Sequence, residues 1–334
     1  MSRLLDKSRK EDEEEIEKSL RPLTLDEYVG QQNLKYNLKV FIGAAKSREE
    51  VLDHVLFYGP PGLGKTTLAH IIANEMGGKI KTINGPSLER PCDLISILSA
   101  LEPGDVLFID EIHRLPKPVE EVLYGAMEDF RLNIVVSNET NASTITIDLP
   151  PFTLVGATTK AGILSSPLRA RFGITERVNY YNKNELMLIV KRTANYFSSS
   201  IDDVSAMEIA KRSRGTPRIA NRIFRRVRDF ANYNNSSNIG INDAKHALEA
   251  LRIDNIGLDE VDLQYLLTLK NRFNGGPAGL ETIASAIGED ASNLEEVYEP
   301  YLLKIAFIDR TQKGRILTNK GKLHLRNVKE VFTM

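Results

Sequence analysis

The chain is poor in the features that mark secreted or membrane-embedded proteins. Its 334 residues include a single cysteine, Cys92, so no internal disulfide can form, and a disulfide-stapled extracellular scaffold is excluded. The Met1 end carries charged residues in place of the apolar core of a signal peptide, which with the lone thiol points to a reducing, cytoplasmic setting. Nowhere does an uninterrupted apolar run approach the roughly 18 residues that mark a membrane-spanning helix, so the expectation is a soluble protein with no membrane partner. Net charge is also nearly absent: 44 basic side chains face 45 acidic ones. A polyanion must therefore be met by local patches and not by an overall field. Internal repeats are lacking as well.

The length suffices for two or three compact domains. Residues 1–19 hold the acidic run Glu11 to Glu15 and few apolar residues, and read as a mobile tail, with order beginning near Leu20 and Arg21. From there to residue 182, short apolar runs alternate with helix-like stretches: Val55-Leu56-Phe57-Tyr58, Val106-Leu107-Phe108-Ile109 and Phe152-Thr153-Leu154-Val155. That alternation is the pattern of a parallel sheet covered by helices. Asn133 to Ile147 alternates as a β-hairpin about the tip Ser137 to Ala142. Residues 183–254 change to helical spacing, with Leu186, Leu188, Ile189 and Val190 and again Ile219 to Phe230, and predict a small all-helical domain. Residues 255–334 show three short helical patterns, then Ile305 to Ile308, the polar turn Thr311-Gln312-Lys313-Gly314, and Arg315-Ile316-Leu317. Helices that end in a basic two-stranded hairpin predict a winged helix.

The strongest chemical signal is Gly59-Pro60-Pro61-Gly62-Leu63-Gly64-Lys65-Thr66, set between an apolar strand and a helical run. Glycines such as Gly62 and Gly64 let backbone N–H groups wrap phosphate oxygens, and the helix that follows turns its positive end toward them. Lys65 is expected to reach the β- and γ-phosphates, and Thr66 to bind Mg²⁺. A glycine turn before a helix is the bland alternative. Further on, the strand Val106 to Ile109 ends in Asp110-Glu111. Asp110 suits the metal's water shell, and Glu111 suits the polarisation of an attacking water. Read alone, such an acidic pair caps a helix about as often; beside the phosphate loop it points to ATP hydrolysis, with ATP and Mg²⁺ as the ligands.

Asp110-Glu111-Ile112-His113-Arg114-Leu115, Gly156-Ala157-Thr158-Thr159-Lys160 and Gly215-Thr216-Pro217-Arg218-Ile219-Ala220-Asn221-Arg222 together resemble the RuvB family. Its members are AAA+ motors that drive branch migration of Holliday junctions in recombination and repair. Asp26 to Gln31, Ser166 to Gly173 and Gly275 to Leu280 extend the likeness, which runs from about Leu20 to Leu325. The resemblance implies an α/β fold: an AAA+ P-loop NTPase parallel-sheet domain, then a helical lid and a C-terminal winged helix. It implies Thr159 as the γ-phosphate sensor with Thr158 the runner-up, and Arg171, ahead of Arg169, as an arginine finger reaching a neighbour's ATP in a homo-hexameric ring. Arg218 would be the lid's sensor; Leu20, Arg21, Thr67, Tyr181 and Glu128-Asp129-Phe130 would complete the nucleotide surroundings.

On the same grounds Arg310, Lys313 and Arg315 are the expected contacts to double-stranded DNA, reading phosphates more than bases. The hairpin would dock on RuvA through Ile145 and Ile147, with RuvC a further possible partner. The hairpin tip is rich in Asn, Ser and Thr where the family favours Gly, Pro and Ala, and the tail beyond Leu325 is short. The basic run Lys211, Arg212, Arg214, Arg218, Arg222, Arg225, Arg226 and Arg228 reads as a solvated or subunit-facing surface in preference to a DNA site. Two other readings stand beside the motor: a clamp- or helicase-loader ATPase, which would end in a helical collar, and a winged-helix regulator that uses ATP only as a switch.

Overall fold

The computed structural model describes residues 19–138, 141–236 and 238–327. The chain forms two compact units that meet in sequence at Tyr181 and Asn182. No helix among the described residues is long and apolar enough to cross a membrane.

In the first unit β1 (Val55–Tyr58), β2 (Ile80–Asn84), β3 (Val106–Asp110), β6 (Thr153–Thr158) and β7 (Ile174–Arg177) form a five-stranded sheet in the order β2-β3-β6-β1-β7. Every neighbouring pair is parallel, which is why β3 and β6 read as unbroken apolar runs: each is covered on both faces. β2 and β7, at the edges, alternate in burial and left no such run in the sequence. Helices α1 (Gln32–Ser47), α2 (Lys65–Met76), α3 (Pro91–Leu98), α4 (Lys117–Glu128) and the short α5 (Ser166–Ala170) complete the layers. In α4 the buried Val119, Leu123, Ala126 and Met127 recur at helical spacing and pack with Leu107, Ile109, Leu154 and Phe172 in one core. Each fully buried Val, Leu, Ile, Met or Phe among them contributes about 1.5–3 kcal/mol.

The hairpin is present, as β4 (Arg131–Asn138) and β5 (Asn141–Asp148) in antiparallel register, with Leu132 opposite Ile147 and Asn138 opposite Asn141. Its tip at 139–140, like the acidic tail through residue 18, lies outside the described residues.

In the second unit α6 (Lys183–Tyr196), α7 (Asp203–Arg212), α8 (Pro217–Tyr233) and α9 (Ile241–Ala250) build the lid. Asn182 caps α6 in a reciprocal box with Glu185, which fixes the change from sheet to helices at that residue. Leu186, Ile189 and Val190 face inward, whereas Leu188 is exposed. Two-residue strands β8 (Ser200–Ile201) and β9 (Asn238–Ile239) pair in parallel, so the lid is helical apart from one small bridge that the periodicity did not reveal. The winged helix follows: α10 (Glu260–Asn271), α11 (Leu280–Ile287), a π-helical turn at Leu294–Tyr298 leading into α12 (Glu299–Lys304), the wing β10 (Ile308–Thr311) and β11 (Gly314–Leu317), and α13 (Asn319–Asn327). Its core joins Leu263, Tyr265 and Leu266 to Ile283, Leu302, Phe307 and Leu317. Lid and winged helix, distinct in sequence pattern, share one compact unit.

Candidate active site

The phosphate loop leaves the carboxyl end of β1, and Gly59, Gly62 and Gly64 all have positive φ, at 143°, 74° and 101°. At Gly64 only glycine fits, since a Cβ there would stand 2.9 Å from the Tyr28 hydroxyl on top of the unfavourable φ. Gly64 caps α2 without a side chain, and the first turn of α2 carries no acid, so its amino-terminal N–H groups and dipole favour an anion. Lys65 is buried and donates from Nζ to the carbonyls of Gly59 at 2.7 Å and Pro60 at 3.0 Å, which bends its ammonium back over the loop. Beneath it the Tyr181 hydroxyl donates to that of Tyr28 at 2.7 Å and lies 3.2 Å from the Leu63 carbonyl. Tyr181 thus supports the loop from the end of this unit, with Tyr28, whose role the sequence reading did not single out. Thr66 and Thr67 follow Lys65 in the first turn of α2; Leu20 is buried, and Arg21 beside it is half-buried.

Parallel pairing puts the ends of β3 and β6 on the same side of the sheet as the phosphate loop. Asp110 ends β3, its Oδ1 accepting the Glu111 N–H at 3.0 Å. Glu111 adopts φ 47°, an uncommon conformation for a side-chain-bearing residue outside glycine turns, stored at this corner. Its Oε2 accepts from the Thr159 N–H at 3.3 Å and hydroxyl at 3.1 Å, and lies 3.1 Å from His113 Nδ1. The buried Thr158 hydroxyl lies 2.9 Å from the same Nδ1. Oε1 of Glu111 has no partner among the described residues. Of the two threonines, Thr159 is thus tied to Glu111 and Thr158 to the histidine behind it. His113 belonged to the Asp110–Leu115 motif but had been given no role.

Arg171 and the segment Glu128 to Phe130 gather elsewhere. Arg171 Nη2 donates to Glu128 Oε2 at 2.8 Å and Nη1 to the Pro167 carbonyl at 2.9 Å, with its guanidinium 4.5 Å over the Tyr124 ring. Asp129 caps α4 and is exposed; Phe130 stands edge-on to Phe152. His54, just before β1, bonds Met127 through Nε2 at 3.0 Å and accepts the Leu154 N–H on Nδ1 at 2.9 Å. This group therefore sits at the amino end of β1, and Arg171 precedes β7, whose first residue pairs with Val55. The phosphate loop, Asp110 and Thr159 sit at the opposite, carboxyl end. Within one chain, the arginine and the loop are kept apart by the sheet.

Arg218, in the first turn of α8, is exposed. In the wing the sequence treated Arg310, Lys313 and Arg315 as one cluster, and the structure divides it. Arg315 Nε donates to Glu299 Oε1 at 2.9 Å and Arg310 Nε to Oε2 at 2.8 Å, while the Tyr265 hydroxyl adds 2.7 Å to Oε1. Burial of Glu299 works to raise its pKa, but the Arg315 and Tyr265 hydrogen bonds and the Arg310 charge carry it below the usual carboxylate range. Lys313 stands exposed at the turn. On the hairpin, Ile145 is 51% exposed, whereas Ile147, opposite the buried Leu132, packs on the domain core; the same strand face continues from core to solvent between them.

A phosphate-binding loop after the first strand of this sheet, an acidic pair on the adjoining carboxyl edge, a helical lid and a winged helix define a P-loop ATPase of the AAA+ class that acts on DNA. The model of the Holliday junction DNA helicase RuvB P-loop domain matches residues 20–178, that of the RuvB AAA lid domain residues 181–254, and that of the RuvB C-terminal winged helix domain residues 255–326. The solved structure of the Thermotoga maritima RuvB Holliday junction branch migration motor is 51% identical, covers 92% of this chain and 98% of its own, and superposes with a TM-score of 0.84. An arginine-to-alanine variant of it aligns at 51% identity over the same shares with a TM-score of 0.83. The chain belongs to the RuvB family: it is a nucleotide-binding, ATP-hydrolysing motor of Holliday junction branch migration. The winged helix replaces the helical collar expected of a loader, and hydrolysis displaces the switch-only reading.

Proposed function

We propose that this chain splits ATP at the site of Lys65, Thr66, Asp110 and Glu111, that Arg171 completes the site of a neighbouring copy, and that the energy moves duplex arms through a four-way junction. The carrying observation is the separation of Arg171 from its own phosphate loop by the length of the sheet, together with the anchoring of that arginine beside Glu128 at the opposite end. An arginine so placed can reach a γ-phosphate only when a second chain presents one, so turnover requires assembly, in the reading a homo-hexameric ring.

In this reading the loop N–H groups and Lys65 hold the β- and γ-phosphates, and Glu111 Oε1 takes a proton from water as its oxygen attacks the γ-phosphorus and the bond to the ADP oxygen breaks. Thr159 and His113 hold the other oxygen and so orient the base. The hydroxyl of Thr66 and the carboxylate of Asp110 suit Mg²⁺. Among the described residues no three His, Cys, Asp or Glu side chains converge as a metal cage, and a cation that keeps phosphate and water ligands needs no more. Bound there, it would neutralise charge on the phosphate oxygens.

Arg218 serves as the lid's sensor, and Leu20, Arg21, Thr67 and Tyr181 surround the nucleotide; Glu128, Asp129 and Phe130 line the neighbour's side. Lys313, with Arg310 and Arg315 braced behind it, follows DNA phosphates. The hairpin docks on RuvA through Ile145, RuvC acts on the same junction, and the setting is the cytoplasm. The test is a synthetic four-way junction incubated with the protein, ATP and Mg²⁺, with and without RuvA. Strand separation that is lost with Arg171→Ala supports the reading; a junction left intact by the wild-type chain defeats it.

A further inference from the structure

We propose that Arg214 is a positioning residue that fastens the lid's sensor helix to the winged helix, so that a movement of Arg218 is delivered to the DNA-binding module as a rigid displacement. This rests on the motor reading above. Arg214 lies in the turn between α7 and α8, four residues before Arg218, with φ 56° and only 8% of its side chain exposed. A charged side chain is held in such a place only by dense pairing.

Its partners all belong to the winged helix or to the segment that leads into it. Nε donates to the Gly257 carbonyl at 2.6 Å, and Nη2 to Asp262 Oδ2 at 2.6 Å and Asp259 Oδ2 at 2.9 Å. The guanidinium lies 5.4 Å over the Tyr301 ring, and Lys304 Nζ donates to the Arg214 carbonyl at 3.4 Å. Asp259 is at once the cap of α10, accepting the N–H groups of Val261 at 3.1 Å and Asp262 at 3.2 Å, so Arg214 grips the first turn of the first winged-helix element.

Two residues earlier, Arg212 Nη1 donates to the Ile253 carbonyl at 2.8 Å. Gly257 packs so closely on that segment that a Cβ would fall 2.3 Å from the Arg212 carbonyl oxygen. Arg212, Arg214 and Gly257 thus leave no slack between lid and winged helix. Only Gly215 and Thr216 separate this anchor from α8, whose first turn holds Arg218. The planar fork matters: Nε and Nη2 point at different acceptors at once, which a lysine cannot reproduce.

The experiment compares the full chain with Arg214→Lys, which keeps the charge and loses the fork, and with Asp259→Asn, which keeps the helix cap and loses the charge. Three quantities are read: ATP turnover without DNA, affinity for the junction, and junction processed per ATP hydrolysed. The expectation is turnover and affinity close to wild type, with junction processed per ATP down roughly 3- to 30-fold in Arg214→Lys, the range of coupling changes along such contacts. The Arg214→Lys/Asp259→Asn double variant should be little worse than Arg214→Lys alone, because both act on one contact. Unchanged processing per ATP in both single variants overturns the proposal. So does a parallel fall of all three quantities, the mark of a merely structural role. Should the wild-type chain itself fail to process junctions, the motor reading falls, and the coupling role falls with it.

Discussion

Replacing Glu111 by Gln tests the chemistry where the structure is most specific. The Thr159 N–H and hydroxyl both donate to Oε2, and His113 Nδ1 lies 3.1 Å from the same oxygen. Glutamine can set its amide oxygen there and keep each contact. Its NH₂ then falls where Oε1 stood, a donor in place of the acceptor that takes the proton from water. Folding and nucleotide affinity should therefore change little, the dissociation constant for ATP by less than about threefold, since hydrogen bonds to a charged group become neutral ones with a loss on the order of 1 kcal/mol shared between states. The hydrolytic step loses its general base, worth 10²- to 10⁴-fold, or about 2.7–5.5 kcal/mol on the barrier. Single-turnover hydrolysis with junction DNA present, alongside direct nucleotide binding, separates the two effects. Hydrolysis by Glu111→Gln within about threefold of wild type would refute the assignment of the base, and loss of ATP binding would refute the argument that the contacts survive.

Arg171→Ala should lower ATP turnover by roughly 10³- to 10⁵-fold, as for an arginine finger, and small amounts mixed into wild-type protein should depress activity more than in proportion; simple dilution would contradict action across an interface. Lys313→Ala should reduce the slope of log affinity for duplex DNA against log salt by about one, evenly across sequences, as measured by fluorescence anisotropy in a salt series. Burial lowers the pKa of His54 below its ordinary 6.5, against its Met127 hydrogen bond and the nearby Asp53 charge. The folded state then binds fewer protons than the unfolded one, so this contribution to stability is complete above about pH 6.5 and is lost as pH falls toward the folded-state value. Thermal unfolding followed from pH 8 to 5 should show that limb in the wild type and a flatter one in His54→Gln; equal limbs would contradict it.

The central strands and the phosphate loop were legible because their signals are local. β1 was read to its exact residues, β3 and β6 to within a few, since strands buried on both faces must be apolar throughout. Edge strands β2 and β7 alternate and include lysine, threonine and arginine, so nothing set them apart from a loop. The hairpin showed because period-two alternation survives in a two-stranded ribbon. The helical spacing of α6 was legible, but not which apolar residue faces out: Leu188 lies between the buried Leu186 and Ile189 and is itself exposed, a matter of helix rotation that composition does not carry.

What the sequence hid was the destination of its charges. The run from Lys211 to Arg228 reads as a basic surface, yet Arg212 donates to the Ile253 carbonyl at 2.8 Å, Arg228 lies 3.9 Å over the Phe197 ring, and Arg214 is buried among acids at positions 259 and 262. In the wing likewise, Arg310 and Arg315 share one fully buried carboxylate from the helix before it. Partners more than ten residues away in sequence decide whether an arginine is a tie or a contact, and spacing rules see only the near ones. The consequence bears on how such a motor can be altered. A charge with no ion-pair partner among the described residues, such as Lys313 at its turn, is removed, on the proposed reading, at the cost of one phosphate contact. A charge already committed to a buried carboxylate leaves that carboxylate less compensated when removed, a loss that falls on stability before it reaches DNA. Substitutions at Arg310 or Arg315 therefore mix two effects. Lys313 is the position at which DNA affinity can be read without disturbing the wing that presents it.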